Sequence, residues 1–274
     1  MILLAGCARQ SPIEKGSAPQ TPYVLSATDK KEEDLGNQIH EEILSTFYLY
    51  TEPNAIQYVN DISERLTRHA KRDHLPYAVT LLVSDKIFAT SAPGGHIYIT
   101  TGFINLLDNE AELAAVLAHE IGQLQYQNPQ FSRKKMVVKK IGKTGAVVGS
   151  FLGQIGAPAV LGFAAMDAMT EPKTVEKRVI MADRLALQYL REAHYDPQGL
   201  IDVLYKITGA EKTKAFLIFD YYMARPISEE RFKKIRKDFK KLDLKDGAFE
   251  TRRPEFLEAT KGIREMYRIA SPAV

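Results

Sequence analysis

The chain has 274 residues, of which 45% are hydrophobic, and this is enough to bury a substantial core. Its formal net charge is only +3, so the composition gives no reason to expect nucleic acid as a partner. The single cysteine excludes a structural zinc ribbon, which needs Cys-x-x-Cys pairs.

The N-terminal segment carries a short cysteine motif, Leu4-Ala5-Gly6-Cys7. It is similar to a bacterial lipobox, in which the cysteine becomes diacylated. Residues 1–4 are shorter than the apolar stretch of about 7–15 residues in a secretory signal, so this interpretation requires translation to start upstream. The alternative is that Cys7 is a chance or buried cysteine. Residues 8–28 are rich in Ser, Pro, Gln and Ala, and we expect residues 1–28 to be a lipobox-like start and flexible tether.

Hydrophobic periodicity predicts two amphipathic helices first, over residues 30–49 and 54–71. Two β-rich runs then predict strands over 77–83 and 96–100, with Gly94-Gly95 as the turn before the second strand. A short helix through Leu107 follows, and Asn109 is expected to cap the next helix. The longer helices after that point are predicted over residues 110–125, 177–192, 197–207 and 228–242. This order predicts an α+β fold, mostly helical with a small β-sheet.

Two segments of unusual composition follow helix 110–125. Residues 133–143 contain six Lys or Arg residues and no acid, which is typical of a solvated helix face. The alternative is contact with anionic lipid. Residues 144–166 carry no charge and are long enough for a membrane span. Because Pro158 and many glycines interrupt this segment, we expect a buried helical hairpin instead.

Helix 110–125 carries the motif His119-Glu120-Ile121-Gly122-Gln123. In the pattern His-Glu-x-x-His, two histidines four residues apart bind zinc from one helix face, and the Glu acts as general base on the metal-bound water. Here Gln123 occupies the second histidine position, and its neutral amide is a poor ligand for Zn²⁺. The motif therefore indicates a zinc-peptidase site in which one metal ligand has been replaced.

Two longer stretches, residues 93–102 and 109–122, closely resemble the gluzincin metalloendopeptidases of family M48. The similarity extends from about residue 33 to about residue 236. It implies a zincin-like fold for a single gluzincin-like peptidase domain over 29–274, with the small sheet beside the active-site helix. It also implies a substrate-binding edge strand and a following turn, here Ala89, Thr90, Ser91, Ala92, Gly94 and Gly95.

The resemblance implies a third zinc ligand, a Glu that lies four residues before an Asp on a later helix. That Asp is Asp183, and the ligand position holds Val179. An auxiliary histidine of the family corresponds to Arg225. Since Gln123 is also a replacement, two of three protein ligands are missing. At about 3 kcal/mol per ligand, this loss weakens zinc binding by about four decades. We therefore expect no bound cofactor, and zinc only if the site is irregular but active.

The site retains three members of the family pattern: His119 as a relic ligand, Glu120 as a relic general base, and Asp183. The resemblance implies that Asp183 contacts His119; the alternative is a local ion pair with Arg184. Arg225 either supplies a cation to Glu120 in place of the metal or points to solvent.

The remaining histidines are not expected to replace the missing ligands. His96 is predicted at an exposed strand position, and His194 in a left-handed conformation at a helix end. The other three, His40, His69 and His74, are predicted on N-terminal surface helices.

Two function classes remain open. The first is a pseudoprotease that is lipid-anchored in the bacterial cell envelope, on the periplasmic side of the outer membrane. It would bind an extended peptide or an envelope protein in its cleft, with residues 133–143 as a second membrane contact and no nucleic acid partner. The second is an active metalloendopeptidase with an irregular zinc site. We expect the first, because the missing groups are those on which the chemistry depends.

Overall fold

The computed structural model describes residues 27–126, 172–213, 228–245 and 247–270. The predictions for Cys7, residues 133–143, residues 144–166 and Arg225 therefore lie outside the described residues. None of the helices described here combines the length and apolarity that a membrane span requires. The helices in these ranges are α1 Ala27–Thr46, α2 Pro53–Thr67, α3 Thr101–Leu106, α4 Glu110–Leu124, α5 Pro172–Glu192, α6 Gln198–Thr213, α7 Glu229–Phe239, α8 Arg253–Ala259 and α9 Lys261–Ala270.

Three strands, β1 Ala78–Leu82, β2 Ala89–Ala92 and β3 His96–Thr100, form one sheet in the order β1-β3-β2. Strand β1 runs parallel to β3, and β2 runs antiparallel to β3. A 3₁₀ turn joins β2 to β3, and its Gly94 and Gly95 have φ angles of 79° and 94°, which glycine adopts without steric cost. The predicted α+β class, mostly helical with a small sheet, is confirmed.

Helix α4 lies in the centre of the core, and all of its residues are buried. Asn109 caps it as predicted, by accepting a hydrogen bond from a main-chain N–H of the first turn. At the same end the buried Glu110 carboxylate accepts hydrogen bonds from the hydroxyls of Tyr58 and Tyr195, at 2.5 and 2.6 Å. Arg65 adds an ion pair to Glu110 at 2.7 Å. These contacts fix α4 against α2 and against the end of α5.

Helices α4 and α5 are in close backbone contact at Gly122. A Cβ atom at this position would lie 2.8 Å from the Ala182 carbonyl oxygen and 3.1 Å from the Ala182 Cα. The missing side chain therefore allows the two backbones to touch. This contact brings the motif-bearing face of α4 against the part of α5 that carries Asp183 and Val179.

Helix α1 packs across the 3₁₀ turn at the end of β2. A Cβ on Gly36 would meet the Pro93 carbonyl oxygen at 1.9 Å, so this contact requires glycine. The buried Glu32 binds the Arg72 guanidinium at 2.6 and 3.0 Å. Since Arg72 also donates to the Leu124 carbonyl oxygen, it ties α1 to the end of α4.

Several predicted helix boundaries were wrong. Helix α1 ends at Thr46 rather than 49, because Leu49 forms an isolated β-bridge with Leu82. Helix α2 ends at Thr67 rather than 71, and the chain then turns through residues 68–75. His69 and His74 consequently lie in turns and not on helices.

The C-terminal part of the chain departs from the prediction in a second way. Helices α8 and α9 were not predicted, and α5 and α6 extend beyond their predicted ranges. The Phe256 side chain of α8 and the Ile263 side chain of α9 are fully buried in the main core. These helices therefore belong to the folded structure, and the helical spacing of Ile263, Met266 and Tyr267 was an available signal for α9 that the sequence analysis missed.

Candidate functional site

His119 lies between two polar side chains. Its Nδ1 atom is 2.7 Å from Asp183 Oδ1, and its Nε2 atom is 3.2 Å from Gln123 Nε2. All three side chains are buried, with exposures of 2% for His119, 1% for Asp183 and 5% for Gln123. The predicted contact between His119 and Asp183 is confirmed.

These two contacts determine which nitrogen of the His119 ring carries a proton. An ionised carboxylate only accepts protons, so its 2.7 Å approach places a proton on Nδ1, and in the neutral ring Nε2 is then the acceptor. The Gln123 amide is oriented with its nitrogen toward this Nε2 atom. It therefore donates to the lone pair that a metal ion would need.

The side chains at the two other metal positions do not fit zinc. Val179 is 2% exposed, lies one helical turn before Asp183 on α5 and has no donor atom. Gln123 uses its amide nitrogen on His119 rather than offering its oxygen to a metal. Across the described ranges, no group of three or more His, Cys, Asp or Glu side chains is arranged to hold a metal ion.

The charge of Asp183 is balanced by Arg231, which the sequence analysis missed. Arg231 Nε and Nη2 donate to the two carboxylate oxygens at 2.7 and 2.9 Å, and both side chains are 1% exposed. Burial alone would raise the pKa of Asp183, but the Arg231 guanidinium and the His119 ring outweigh burial and hold it below its usual range. Arg184, the alternative partner, instead binds Asp238 at 3.0 Å.

Helix α7 positions Arg231 through its N-terminal cap. The Ser228 hydroxyl accepts a hydrogen bond from the Arg231 main-chain N–H and donates to the Glu176 carboxylate of α5 at 2.9 Å. Ile235, four residues after Arg231, is also buried. That four-residue spacing was the available signal that Arg231 faces inward.

Glu120, the predicted relic general base, is completely buried on α4. Its predicted partner Arg225 lies outside the described residues, so the proposed contact between them stays a prediction. Within the described residues a cation does reach this site, but it is Arg231 and it binds Asp183.

Strand β2 forms one edge of the sheet in the part of the chain that is described. The Thr100 N–H donates to the Phe88 carbonyl oxygen. Because hydrogen-bonded pairs alternate along an antiparallel ladder, Ala89 and Ser91 direct their main-chain groups away from β3. No described residue outside the sheet hydrogen-bonds to those groups, and the buried Ser91 hydroxyl has no partner among the described residues either.

His96 is half-buried, so the prediction of an exposed position was wrong. Its ring stacks on His40 of α1 with 4.7 Å between the ring centroids, and its Nε2 lies 3.1 Å from Asn37 Oδ1. His40 Nδ1 in turn lies 2.9 Å from the Tyr98 hydroxyl. Burial, and then the neighbouring His40, lower the pKa of His96 to about 4. His194 adopts the predicted left-handed conformation, with φ 60°.

Comparison with known proteins places this arrangement in a family. The profile described as Peptidase family M48 matches residues 53–238, from the start of α2 into α7. A beta-barrel assembly-enhancing protease of Escherichia coli (strain K12) is 25% identical over 182 residues, which cover 65% of this chain and 37% of the relative. The protein of that name from Yersinia pestis is 26% identical over 172 residues, covering 60% of this chain and 35% of the relative.

A putative beta-barrel assembly-enhancing protease of Vibrio cholerae is 24% identical over 208 residues, which cover 72% of this chain and 42% of the relative. The chain thus spans less than half the length of these relatives. The profile match nevertheless includes the sheet, the motif-bearing helix α4 and the helix that carries Asp183. The chain therefore belongs to peptidase family M48.

Proposed function

We propose that this chain is a catalytically degenerate member of family M48, a pseudoprotease that binds an extended peptide without cleaving it. The observation that carries the proposal is the Gln123 amide, 3.2 Å from His119 Nε2. The atom that would bind the metal is engaged inside the protein instead. Val179 removes a second donor from the same site.

The loss of these ligands matters because of what zinc supplies in the family. A bound zinc ion activates water and stabilises the negative charge that develops on the substrate. In this chain His119, Glu120 and Asp183 remain, but all three are buried. His119 contacts Gln123, and Asp183 binds Arg231. The pair of Arg231 with Asp183 supports this view, since a fixed guanidinium balances the carboxylate without a metal.

The edge strand β2 supports peptide binding. An extended peptide adds to a sheet edge through main-chain hydrogen bonds, and this needs no catalytic group. Ala89 and Ser91 direct their N–H and C=O groups away from β3, where no described residue pairs with them, although both residues are buried. We assign the peptide to Ala89, Thr90, Ser91 and Ala92 and to the turn glycines Gly94 and Gly95. All of these except Thr90 are buried in the structure, so peptide binding requires that the segments packed on this edge move aside.

We also propose a location in the bacterial cell envelope, on the periplasmic side of the outer membrane. The names of the relatives refer to β-barrel assembly and support an envelope role. The lipobox-like Leu4-Ala5-Gly6-Cys7 supports a lipid anchor at Cys7. Mass spectrometry of protein expressed from its complete genomic locus tests the anchor: acylated Cys7 is expected, and an unmodified thiol would contradict it.

A proteolysis assay tests the pseudoprotease proposal. The full chain is incubated with casein and added zinc, beside the variant Gln123→His/Val179→Glu and the same variant with Glu120→Gln. We expect no cleavage by the parent. If the double variant cleaves casein and Glu120→Gln abolishes this, the two replaced ligands account for the loss.

The alternative function is an active metalloendopeptidase with an irregular zinc site. It is favoured by the retention of Glu120, the position of the general base in the family motif. Cleavage by the parent that disappears in a Glu120→Gln variant of the parent would establish this alternative and overturn our proposal.

A further inference from the structure

The chain has two strongly basic segments, residues 133–143 and residues 233–241, and the second of them lies within the described residues. Residues 233–241 contain six Lys or Arg residues and one Asp, a net charge of +5, whereas the whole chain has a net charge of +3. The rest of the chain is therefore net −2. A local field of this kind attracts anionic partners even when the overall charge is small.

Helix α7 directs these cations to solvent. Its inner face carries the buried Arg231 and Ile235. With about 100° between successive residues, Lys233, Lys237 and Lys240 lie on the opposite face, and all three are exposed. Within the described residues, no carboxylate lies at ion-pair distance from any of these three lysines.

Two other lysines of the segment, in contrast, form ion pairs. Lys234 pairs with Glu230 at 3.2 Å, and Lys241 pairs with Asp238 at 3.6 Å. Lys233, Lys237 and Lys240, which have no acidic partner among the described residues, thus form a ridge along one face of the helix. Cations near a helix C-terminus interact favourably with the helix dipole, and this gives a structural reason for the cations in the last turn. Lys233 lies in the second turn, however, and the dipole does not account for it.

An aromatic side chain borders the ridge. Tyr205 of α6 is 49% exposed, and the Arg236 guanidinium lies 5.6 Å from its ring centroid. An apolar ring with a polar hydroxyl beside cations is the arrangement that side chains adopt at a membrane–water interface. A nucleic acid base would need a free ring face for stacking, and the Arg236 guanidinium lies over one face of this ring.

We propose that the face formed by Lys233, Arg236, Lys237, Lys240 and Tyr205 docks on the anionic headgroups of a phospholipid membrane. This surface requires neither the acyl anchor nor peptide binding at β2. Since the opposite face of α7 carries Arg231, which holds Asp183, docking would also fix how the His119 site is oriented toward the bilayer.

Vesicle sedimentation of the full, unacylated chain tests this proposal. The vesicles contain either phosphatidylcholine alone or phosphatidylcholine with phosphatidylglycerol, at low and at high salt. The variant Lys233→Gln/Lys237→Gln/Lys240→Gln removes the ridge. A matched variant neutralises three exposed lysines of other segments, namely Lys30, Lys71 and Lys261. Circular dichroism confirms that both variants are folded.

We expect binding to the phosphatidylglycerol vesicles only, and release at high salt. At about fivefold per lysine, the ridge variant should bind about 100-fold more weakly, while the matched variant stays within about twofold of the parent.

Three results would overturn the proposal. The ridge variant binds like the parent, as it would if the cations of residues 133–143 carried the affinity. The parent binds neither kind of vesicle, or binds both equally. The parent binds duplex DNA as tightly as it binds phosphatidylglycerol vesicles.

Discussion

Arg231 binds Asp183 through two hydrogen bonds, of 2.7 and 2.9 Å, in a position from which solvent is excluded. The same carboxylate contacts His119, so one cation from α7 stabilises the contact between α4 and α5. The charge of Asp183 is thus balanced by a side chain of the fold itself, which is consistent with a contact that holds together without a metal ion.

The first prediction concerns Arg231. Replacing it as Arg231→Ala leaves the buried Asp183 carboxylate without this partner and should lower the free energy of unfolding by about 3–5 kcal/mol. Urea denaturation followed by circular dichroism measures the change. The control is Arg184→Ala, whose half-exposed pair with Asp238 should contribute no more than about 1 kcal/mol. Equal effects of the two substitutions would contradict this account of the site.

The second prediction concerns the crossing of α4 and α5. In Gly122→Ala the new methyl group would lie 2.8 Å from the Ala182 carbonyl oxygen, which forces the two backbones apart. We expect a loss of about 1–3 kcal/mol in unfolding free energy, despite the higher helix propensity of alanine. The matched control is Gly209→Ala in α6, where a Cβ meets nothing within 4 Å. This control should gain up to about 1 kcal/mol, and a stabilised Gly122→Ala would show that the helices do not touch there.

The third prediction concerns the stability of the folded chain at acidic pH. The pKa of His96 is lowered to about 4 in the folded chain, from about 6.5 in the unfolded chain. Between these values the unfolded chain binds more protons, so the stability should decrease as the pH falls through this window. Asp183, whose pKa is held below its usual range, loses its contribution only at still lower pH, below about 4. Unfolding free energies measured across the pH range test this. In His96→Gln, the free energy of unfolding should decrease less between about pH 6.5 and about pH 4 than in the parent.

The fourth prediction concerns the sheet edge. In a native-state hydrogen-exchange experiment, the amide of Thr90, which faces β3, should exchange slowly, and those of Ala89 and Ser91 should exchange faster. A bound extended peptide should slow exchange at Ala89 and Ser91 without changing Thr90. Peptide binding that leaves both amides unchanged would place the peptide elsewhere.

The sequence was most informative where a residue type has one dominant local role. Asn109 predicted the start of α4, and Gly94-Gly95 predicted the turn between β2 and β3. The family resemblance led to the contact of His119 with Asp183. Such features depend on a few neighbouring residues or on a motif, and both can be read from a single chain.

Other features depended on contacts between distant segments. Arg231 lies within a run of basic residues, so only its spacing from Ile235 distinguished it from solvent-exposed neighbours. The His40–His96 stack joins residues 56 positions apart, and nothing local to His96 indicates burial. Helix α1 ends early because Leu49 pairs with Leu82, which is a tertiary contact. The burial of these side chains and the end of α1 therefore depend on long-range packing, which local sequence patterns do not show.

The zinc content of the purified full chain tests the central claim most directly. Inductively coupled plasma mass spectrometry, after dialysis against metal-free buffer, gives the number of zinc ions per chain for the parent and for Gln123→His/Val179→Glu. Because His119 Nε2 is engaged by Gln123 and two ligands are replaced, we predict clearly less than one zinc per parent chain. The double variant should retain more zinc than the parent. One tightly held zinc ion per parent chain would contradict the account.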